Sequence, residues 1–547
     1  MADRQAQFAQ SLRSNRVIYA ILAIGVALRV WQYLADTSMW FDELSIARNI
    51  TERSLPQLLS QPLGYSQTAP LGFLTVLDIS ERLFGPGDMS LRLFPFLCGI
   101  AGLFLFWRVA ERTLEGIAVP VAVALFAISG PLIRYTGELK QYGPDVLVIL
   151  GLTLVALDLC ERTPSVRRCV FAGGVGVLAV FFSQAAVLVL AGVGAALTLR
   201  WMLNKDSGVD ARRPVFVTVP IWAGAALGGL LIARHYMTPQ TMEFMHAFWK
   251  SRLGFLPLPP TPAGSVLWAR DRFTQFFGPM SGYLLPLLYT AFALSGFFVL
   301  RRRRDVALIL LGPVAVTFAA AVVQQYPFRT RLVLFLLPTL LLTTAASIDW
   351  IVERVSRASR PASAALALAA MIPPVFAVVV TPPPYTVEPF KPVFAYVQAH
   401  RQSGDKIYVF SNSFQAMARY GAQYGFSSSS YVNGVCDERS NTPFLVDVDR
   451  FRGEPRVWVI GSSVPDWAPS RRAIRKYLGT IGVRRDSMSV PSIAPLSPVS
   501  AELYDLSDTS RLRLATATEF HTPADTMHAI CHDWVRPTAV VSIAQPR

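Results

Sequence analysis

Charge is scarce in this chain. Asp, Glu, Lys and Arg make up 16% of its 547 residues, where soluble domains carry about 25%. Acidic residues are the scarcer sign, 36 against 51 basic, which leaves a net charge of +15. With 52% hydrophobic residues and a mean hydropathy of +0.39, the whole chain cannot be one soluble globule. Cysteine is sparse as well, at five. Neither a CxxC pair nor a His-rich tract accompanies the cysteines, so structural zinc is not indicated. No long internal repeat is present, which argues against an inverted-repeat transporter. The positive charge is spread over many loops, so nucleic acid is not an expected partner. Orientation in a membrane and attraction to anionic lipid or a lipid-borne phosphate account for it better.

What is present is a series of apolar runs long enough to cross a hydrocarbon core. They lie near 17–35, 89–108, 116–133, 143–160, 169–182, 185–202, 214–234, 282–300, 306–323, 332–348 and 363–380. The fifth and sixth meet at "FFSQAA" and read either as two tilted spans or as one broken one. About eleven transmembrane helices are expected. The Arg run at 301–304, "ERTPSVRR" at 161–168, "VERVSRASR" at 352–360 and the N-terminal Arg4, Arg13 and Arg16 all fall on one face. The positive-inside rule makes that face cytoplasmic. The N-terminus is then inside and the C-terminus outside. The first span lacks an obvious cleavage site and reads as a signal anchor. The expected domains are 1–380, a membrane domain with outer loops at 36–88 and 235–281, and 381–547, an extracytoplasmic domain.

The tail follows the breaker "TPPPY" at 381–385. "KIYVF" and "RVWVI" read as buried strands. "FQAMARYGAQ" and "SRRAIRKYLGTIG" read as helices. The alternation indicates a small α/β domain, with enough residues for its own core. Cys436 and Cys531 lie in this tail. They either pair in an oxidising compartment or are two separate buried thiols. "GGVGVLAV" at 173–180 has no preceding strand, so glycine packing between membrane helices is the better account. The fold class is thus mainly α: a polytopic α-helical membrane protein with a C-terminal extracytoplasmic α/β domain.

Polar residues that could carry chemistry gather at the outer ends of the spans. "DTSMWFDELSIARN" at 36–49 places Asp42 and Glu43 beside Trp40 and Phe41, just after span one. Acidic residues in a first helical turn complement the helix dipole, and that plainer account applies to both. A general base at an interface is the chemical alternative. "GELKQYGPD" carries Glu138, Lys140, Tyr142 and Asp145. Pro144 is expected to start span four, with Asp145 as a dipole partner in its first turn. Glu138 lacks that explanation. Arg329 and Arg331 in "YPFRTR" and Arg92 in "SLRLF" either snorkel at span ends or hold a phosphate. Tyr65 and Gln67 offer an aromatic face and an amide for a sugar, or form an ordinary polar loop. His235, Glu243 and His246 lie on the fourth outer loop, but their spacing is not that of a helical metal pair and no third strong ligand is evident.

The order of "LRVWQYLADTSMWFDE", "SQTAPLGFLTVLDISERLFGPGDMSLRLFPFLCG", "RYTGELKQYGPDVLV" and "QQYPFRTRLVLFLLP" resembles the GT-C superfamily of polytopic glycosyltransferases, within residues 15–350. The resemblance is to the protein mannosyltransferase and lipid A aminoarabinose transferase branch. It implies an inverting transfer of a sugar from a polyprenyl-phosphate donor to a hydroxyl of a lipid, glycan or protein acceptor. It also implies a bacterial cytoplasmic membrane, with chemistry at the outer face. The matching positions make Asp42 the base, with Glu43 and Glu138 as further catalytic carboxylates. Lys140, Arg329, Arg331 and Arg92 would bind the donor phosphate. Tyr65, Gln67, Tyr142 and Asp145 would contact substrate. No cofactor is required by this chemistry. Some relatives use a divalent cation, so Mg or Mn at Asp42–Glu43 is retained as an alternative. A multi-span transporter or flippase of lipid-linked sugars is the competing class. It would place charge near the bilayer midplane. A polysaccharide ligase or polymerase and a structural assembly subunit are further alternatives.

Overall fold

The computed structural model describes residues 2–161, 164–203, 212–436, 441–463, 468–493 and 498–511, with side chains from Arg16 onward. The chain divides into two compact units. The first comprises Met1–Ala35, Arg53–Pro62 and Thr68–Pro384. The second comprises Asp36–Glu52, Leu63–Gln67 and the chain from Tyr385 onward. The segment with the acidic pair therefore belongs to the same unit as the tail.

The first unit is helical, and all eleven expected apolar runs fall on helices. Eight are long and apolar enough to cross a membrane: Arg16–Leu34, Asp88–Thr113, Tyr142–Glu161, Ala186–Leu203, Pro214–Tyr236, Arg304–Val322, Thr330–Ser356 and Arg360–Val380. This is a multi-pass membrane protein. The other three runs form the shorter helices Ala118–Ala127, Val166–Phe182 and Pro286–Val299. Ala118–Ala127 stops where Gly130–Pro131 follows, and a second helix, Gly130–Arg134, begins. The carbonyls exposed by that break need donors. Arg29, fully buried in the first span, supplies them. Its Nη1 donates to the carbonyls of Ala127 and Gly25 at 3.0 Å, and its Nη2 to that of Phe126 at 3.3 Å.

Small residues let these helices approach closely. Ala186–Leu203 and Arg304–Val322 meet at Gly192 and Gly312, where a Cβ on either would collide with the backbone of the other. Gly173 and Gly176, inside Val166–Phe182, receive the side chains of Ile221 and Trp222. The Trp222 indole donates to the Ala172 carbonyl at 2.9 Å. The glycine-rich stretch is a packing surface in a helix interior.

The second unit contains a five-stranded sheet: β1 (Lys406–Val409), β2 (Val432–Asn433), β3 (Val457–Ser462), β4 (Val483–Val490) and β5 (Val499–Asp505), in the order β2-β1-β3-β5-β4. β1 pairs parallel with both β2 and β3, while β5 runs antiparallel to β3 and β4. β3 reads "VWVIGS" and is buried throughout, as a central strand covered on both faces must be. β4 reads "VRRDSMSV", with charged residues that protect an edge. Helix Ala468–Ile481 buries Ile474, Tyr477, Leu478 and Ile481 at helical spacing against β1, β3 and β5 residues Tyr408, Val459 and Tyr504. Cys436 is disulfide-bonded. Cys531 lies outside the described residues.

Candidate functional site

The acidic pair opens helix Phe41–Glu52. Glu43 is 1% exposed, and its Oε2 accepts the Trp40 N–H at 3.3 Å. This is the reach-back of a helix N-terminus: a carboxylate at the third position satisfies a backbone donor that the helix leaves open. Asp42, one residue earlier, is half-buried. The two neighbours thus have different surroundings, which adjacency in sequence did not reveal.

A set of long-range bonds within the second unit seats this helix start. Glu388 Oε2 accepts the Phe41 N–H at 2.7 Å. The Met39 N–H donates to the Tyr420 hydroxyl at 2.9 Å, and the Ser45 hydroxyl to Gln415 Oε1 at 3.2 Å. Lys391 Nζ pairs with the Asp36 carboxylate at 2.8 Å. Glu388 is itself 1% exposed. Burial pushes its carboxyl up to about 7 and Asp42 adds to the shift, while Ser462 and the Phe41 N–H oppose it. Tyr65 and Gln67 belong to the same unit. Tyr65 has φ +61° and lies under the Arg48 guanidinium at 4.7 Å. The Gln67 amide donates to the Tyr65 carbonyl at 3.1 Å, which ties the amide into the turn.

The remaining sequence-derived residues lie in the first unit. Glu138, Lys140 and Arg92 are all buried, at 3 to 4% exposure. Glu138 Oε1 bridges to Arg134, and its Oε2 finds no hydrogen-bond donor among the described residues. Arg331 Nε donates to the Tyr142 hydroxyl at 3.1 Å. Its charge also acts on Arg134, so Arg134, Glu138, Tyr142 and Arg331 form one group. The break in the 138–145 segment falls before Tyr142, where the helix begins, so Pro144 sits inside the first turn. A proline is accommodated there because those N–H groups have no intrahelical acceptor. Asp145 is in that turn, as expected, and also accepts from the Ser183 hydroxyl at 2.5 Å.

Arg329 joins a second group, which sequence reasoning missed. Arg272, on helix Pro262–Thr274, is 4% exposed. Its Nε and Nη1 find no hydrogen-bond acceptor among the described residues. Burial lowers it to about 10, and Arg329 lowers it further against the pull of Asp271. It therefore stays a cation at neutral pH. Arg329 is lowered too, first by burial and then by Arg252. Gln275 braces the segment: its Oε1 accepts the Thr330 N–H at 2.8 Å, and its Nε2 donates to the Phe328 carbonyl at 3.2 Å. Arg252 thus acts on Arg329 and Arg329 on Arg272, while the Asp271 carboxylate opposes both shifts. "ARDRF" at 269–273 gives no local signal of this. The charge balance appears only when 252, 272 and 329 are brought together by the fold.

The fourth-loop histidines do not form a metal set. His235 packs edge-on to Tyr236, and His246 stacks on Phe255 with ring centroids 5.0 Å apart. Among the described residues no three His, Cys, Asp or Glu side chains converge as metal ligands.

No protein-family model matches the chain, and no curated protein matches it by sequence. Among solved structures, the chain is similar in its course to the oligosaccharyltransferase of Archaeoglobus fulgidus solved with Zn and sulfate. That match has a TM-score of 0.48 and 12% identity, over 88% of this chain and 72% of that one. It is similar to the same organism's oligosaccharyltransferase AglB in complex with an inhibitory peptide and a dolichol-phosphate, at TM-score 0.46 and 10% identity over 91% and 75%. It is also similar to ArnT from Cupriavidus metallidurans bound to undecaprenyl phosphate, at TM-score 0.44 and 11% identity over 89% and 97%. At these TM-scores no residue role is carried across.

Proposed function

We propose that the protein is an inverting membrane glycosyltransferase that moves a sugar from a polyprenyl-phosphate donor to a hydroxyl acceptor at the outer face of a bacterial cytoplasmic membrane. The observation that carries this is Arg272. A buried guanidinium with two open donors, next to further arginines, is costly unless an anion joins it. A phosphate meets that need, since its oxygens accept from guanidinium forks. Arg329 and Arg252 extend the positive field. The Arg134, Glu138, Tyr142 and Arg331 group adds a second cationic surface and an open carboxylate oxygen suited to a sugar hydroxyl. The order of the motifs resembling GT-C transferases supports the same assignment. The disulfide at Cys436 suits an oxidising compartment for the tail.

The chemistry assigned to these residues is a single displacement. The acceptor oxygen forms a bond to the anomeric carbon from the face opposite the phosphate. The bond from that carbon to the phosphate oxygen breaks, and its electron pair leaves with the phosphate. The arginines stabilise the charge that develops there. The acceptor proton passes to the Asp42 carboxylate, which is the proposed base. Glu43 holds the helix start rather than taking this proton. No covalent enzyme intermediate is needed.

The test is release of free polyprenyl phosphate. Wild type, Asp42→Asn and Arg272→Ala are supplied with a panel of polyprenyl-phosphate sugars and a membrane extract, and products are followed by mass spectrometry. Carrier release with a sugar-modified acceptor, lost in Asp42→Asn, is the expected result. Silence of folded wild type across the panel, or equal turnover by all three proteins, overturns the proposal.

A further inference from the structure

We propose that Glu388 is the positioning residue for Asp42: its buried carboxylate fixes the start of the helix that carries the base. The inference rests on the assignment of Asp42 as base, and Asp42 and Glu388 lie in the same unit.

Helix Phe41–Glu52 leaves its first N–H groups without intrahelical acceptors. Two carboxylates other than that of Asp42 take the adjoining ones. Glu43 accepts the Trp40 N–H, and Glu388 accepts the Phe41 N–H at 2.7 Å. The bond to Glu388 is the shorter, and it spans 347 residues of sequence. A negative acceptor at a helix N-terminus is favoured twice, by the charge-assisted bond and by the dipole. Phe41 directly precedes Asp42, so this bond fixes the backbone on which Asp42 stands. The bonds from Met39 to Tyr420 and from Ser45 to Gln415 secure the segment on either side of Phe41. They hold the segment in place, and Glu388 sets its end.

The groups facing Glu388 are few. Asp42 acts on it from the helix, and Ser462 faces it from the end of β3. The nearest cation along the chain, Lys391, is engaged by the carbonyl and carboxylate of Asp36 at 2.7 and 2.8 Å. Burial brings the Glu388 titration to about 7, with Asp42 adding to the shift and Ser462 and the Phe41 N–H opposing it. Above that pH the ionised carboxylate grips the Phe41 N–H. Below it the neutral acid, which burial favours for the chain as a whole, accepts the Phe41 N–H more weakly, and this one helix end loosens. The rate therefore rises with pH through about 7 in wild type.

The test compares Glu388→Ala and Glu388→Gln in the full chain, with two readouts. The first is amide hydrogen exchange over residues 36–52, which needs no turnover. The second is the steady-state rate against pH. Glu388→Ala is expected to speed exchange at the helix start. It should lower kcat by about 10²-fold with donor KM unchanged, the size of effect that a misplacement of about 1 Å produces. Glu388→Gln keeps an acceptor for Phe41. It should hold protection and rate between those of wild type and Glu388→Ala, near the level that wild type shows below pH 7, and lose the limb near pH 7. Wild-type exchange in Glu388→Ala overturns the positioning role whatever the activity. Loss of protection and rate in Ala, with a pH limb unchanged in Gln, overturns the titrating role. If wild type exchanges as expected but transfers no sugar, the proposed function fails and the seating of the helix stands.

Discussion

Two regions of this molecule gather charge in opposite ways. In the membrane unit, Arg252, Arg272 and Arg329 gather like charges, and Arg272 keeps two donors without an acceptor among the described residues. In the α/β unit, Glu43 and Glu388 gather at a helix start, and each accepts a backbone N–H. The first arrangement is the one proposed above to take an anion. The second is complete and serves to hold a segment still. A third case within the membrane unit sharpens the point. Arg29 is as buried as Arg272, yet it donates to three carbonyls. Burial alone therefore does not mark a binding arginine, and one open donor does not either, since Arg29 Nε also lacks a partner among the described residues.

The largest effect is expected at Asp42. Asp42→Asn keeps shape and removes the basic carboxylate, so transfer should fall by roughly 10³-fold, within the range of general-base contributions. Melting temperature should not change, because the backbone bonds at this helix start go to Glu43 and Glu388. Turnover of the purified variant with an active donor checks this. A drop of less than tenfold would move the base elsewhere.

Arg272 comes next, and it breaks the comparison most directly. Arg272→Met removes a buried cation and leaves no carboxylate behind it unpaired, since Asp271 also contacts Arg270. Ligand-free stability should hold or rise, as it does when poorly compensated buried charge is replaced by apolar volume. Donor affinity should weaken by about 10- to 100-fold, the worth of one charged hydrogen bond. Arg29→Met should do the reverse, destabilising the fold because three carbonyls lose their donor. Thermal melts with and without polyprenyl phosphate separate the two.

A stability change with pH follows from Glu388. Its folded value of about 7 lies above the ordinary 4.5 of a free glutamate. The neutral form is thus favoured on folding. The associated stability is fully present below about 4.5 and is lost as pH rises through about 7. That interval corresponds to roughly 3 kcal/mol at most. Glu388→Gln should flatten the dependence across this window, which melts from pH 4.5 to 8 would show. An unchanged slope would mean that Glu388 is ionised throughout.

Much of this architecture was legible in the sequence, for a physical reason. Membrane spans and central strands are each specified by local apolar runs. Accordingly all eleven runs fall on helices, and "KIYVF" and "RVWVI" become β1 and β3. Span length was less legible at 116–133, because the Gly130–Pro131 break depends on a donor from Arg29, about a hundred residues away. The acidic pair was visible, but its division into a capping Glu43 and a half-buried Asp42 was not. Nor was its membership of the tail's unit, which rests on bonds to Glu388, Lys391, Gln415 and Tyr420 across more than 340 residues. Arg272 was illegible for the same reason. The charge around it is summed over two loops, with 252 and 272 in one and 329 in the other.

Glu43 should give the smallest effect, and for that reason it is the most discriminating. If the two adjacent carboxylates shared the chemistry, Glu43→Gln would cost nearly as much as Asp42→Asn. The Trp40 N–H needs only an acceptor, and the amide oxygen of Gln provides one at the same reach. Glu43→Gln should therefore keep transfer within a few-fold of wild type. Glu43→Ala should cost about 1 kcal/mol of stability, the usual loss of a helix N-terminal acceptor, and lower the rate only as far as the helix start frays. Because Glu388 holds the next N–H, fraying should stay small until both acceptors are gone. The double variant Glu43→Ala with Glu388→Ala should then lose more than the two single losses combined. A double-mutant cycle read by hydrogen exchange over 36–52 measures that coupling directly. Strict additivity would mean that the two carboxylates do not share one helix end.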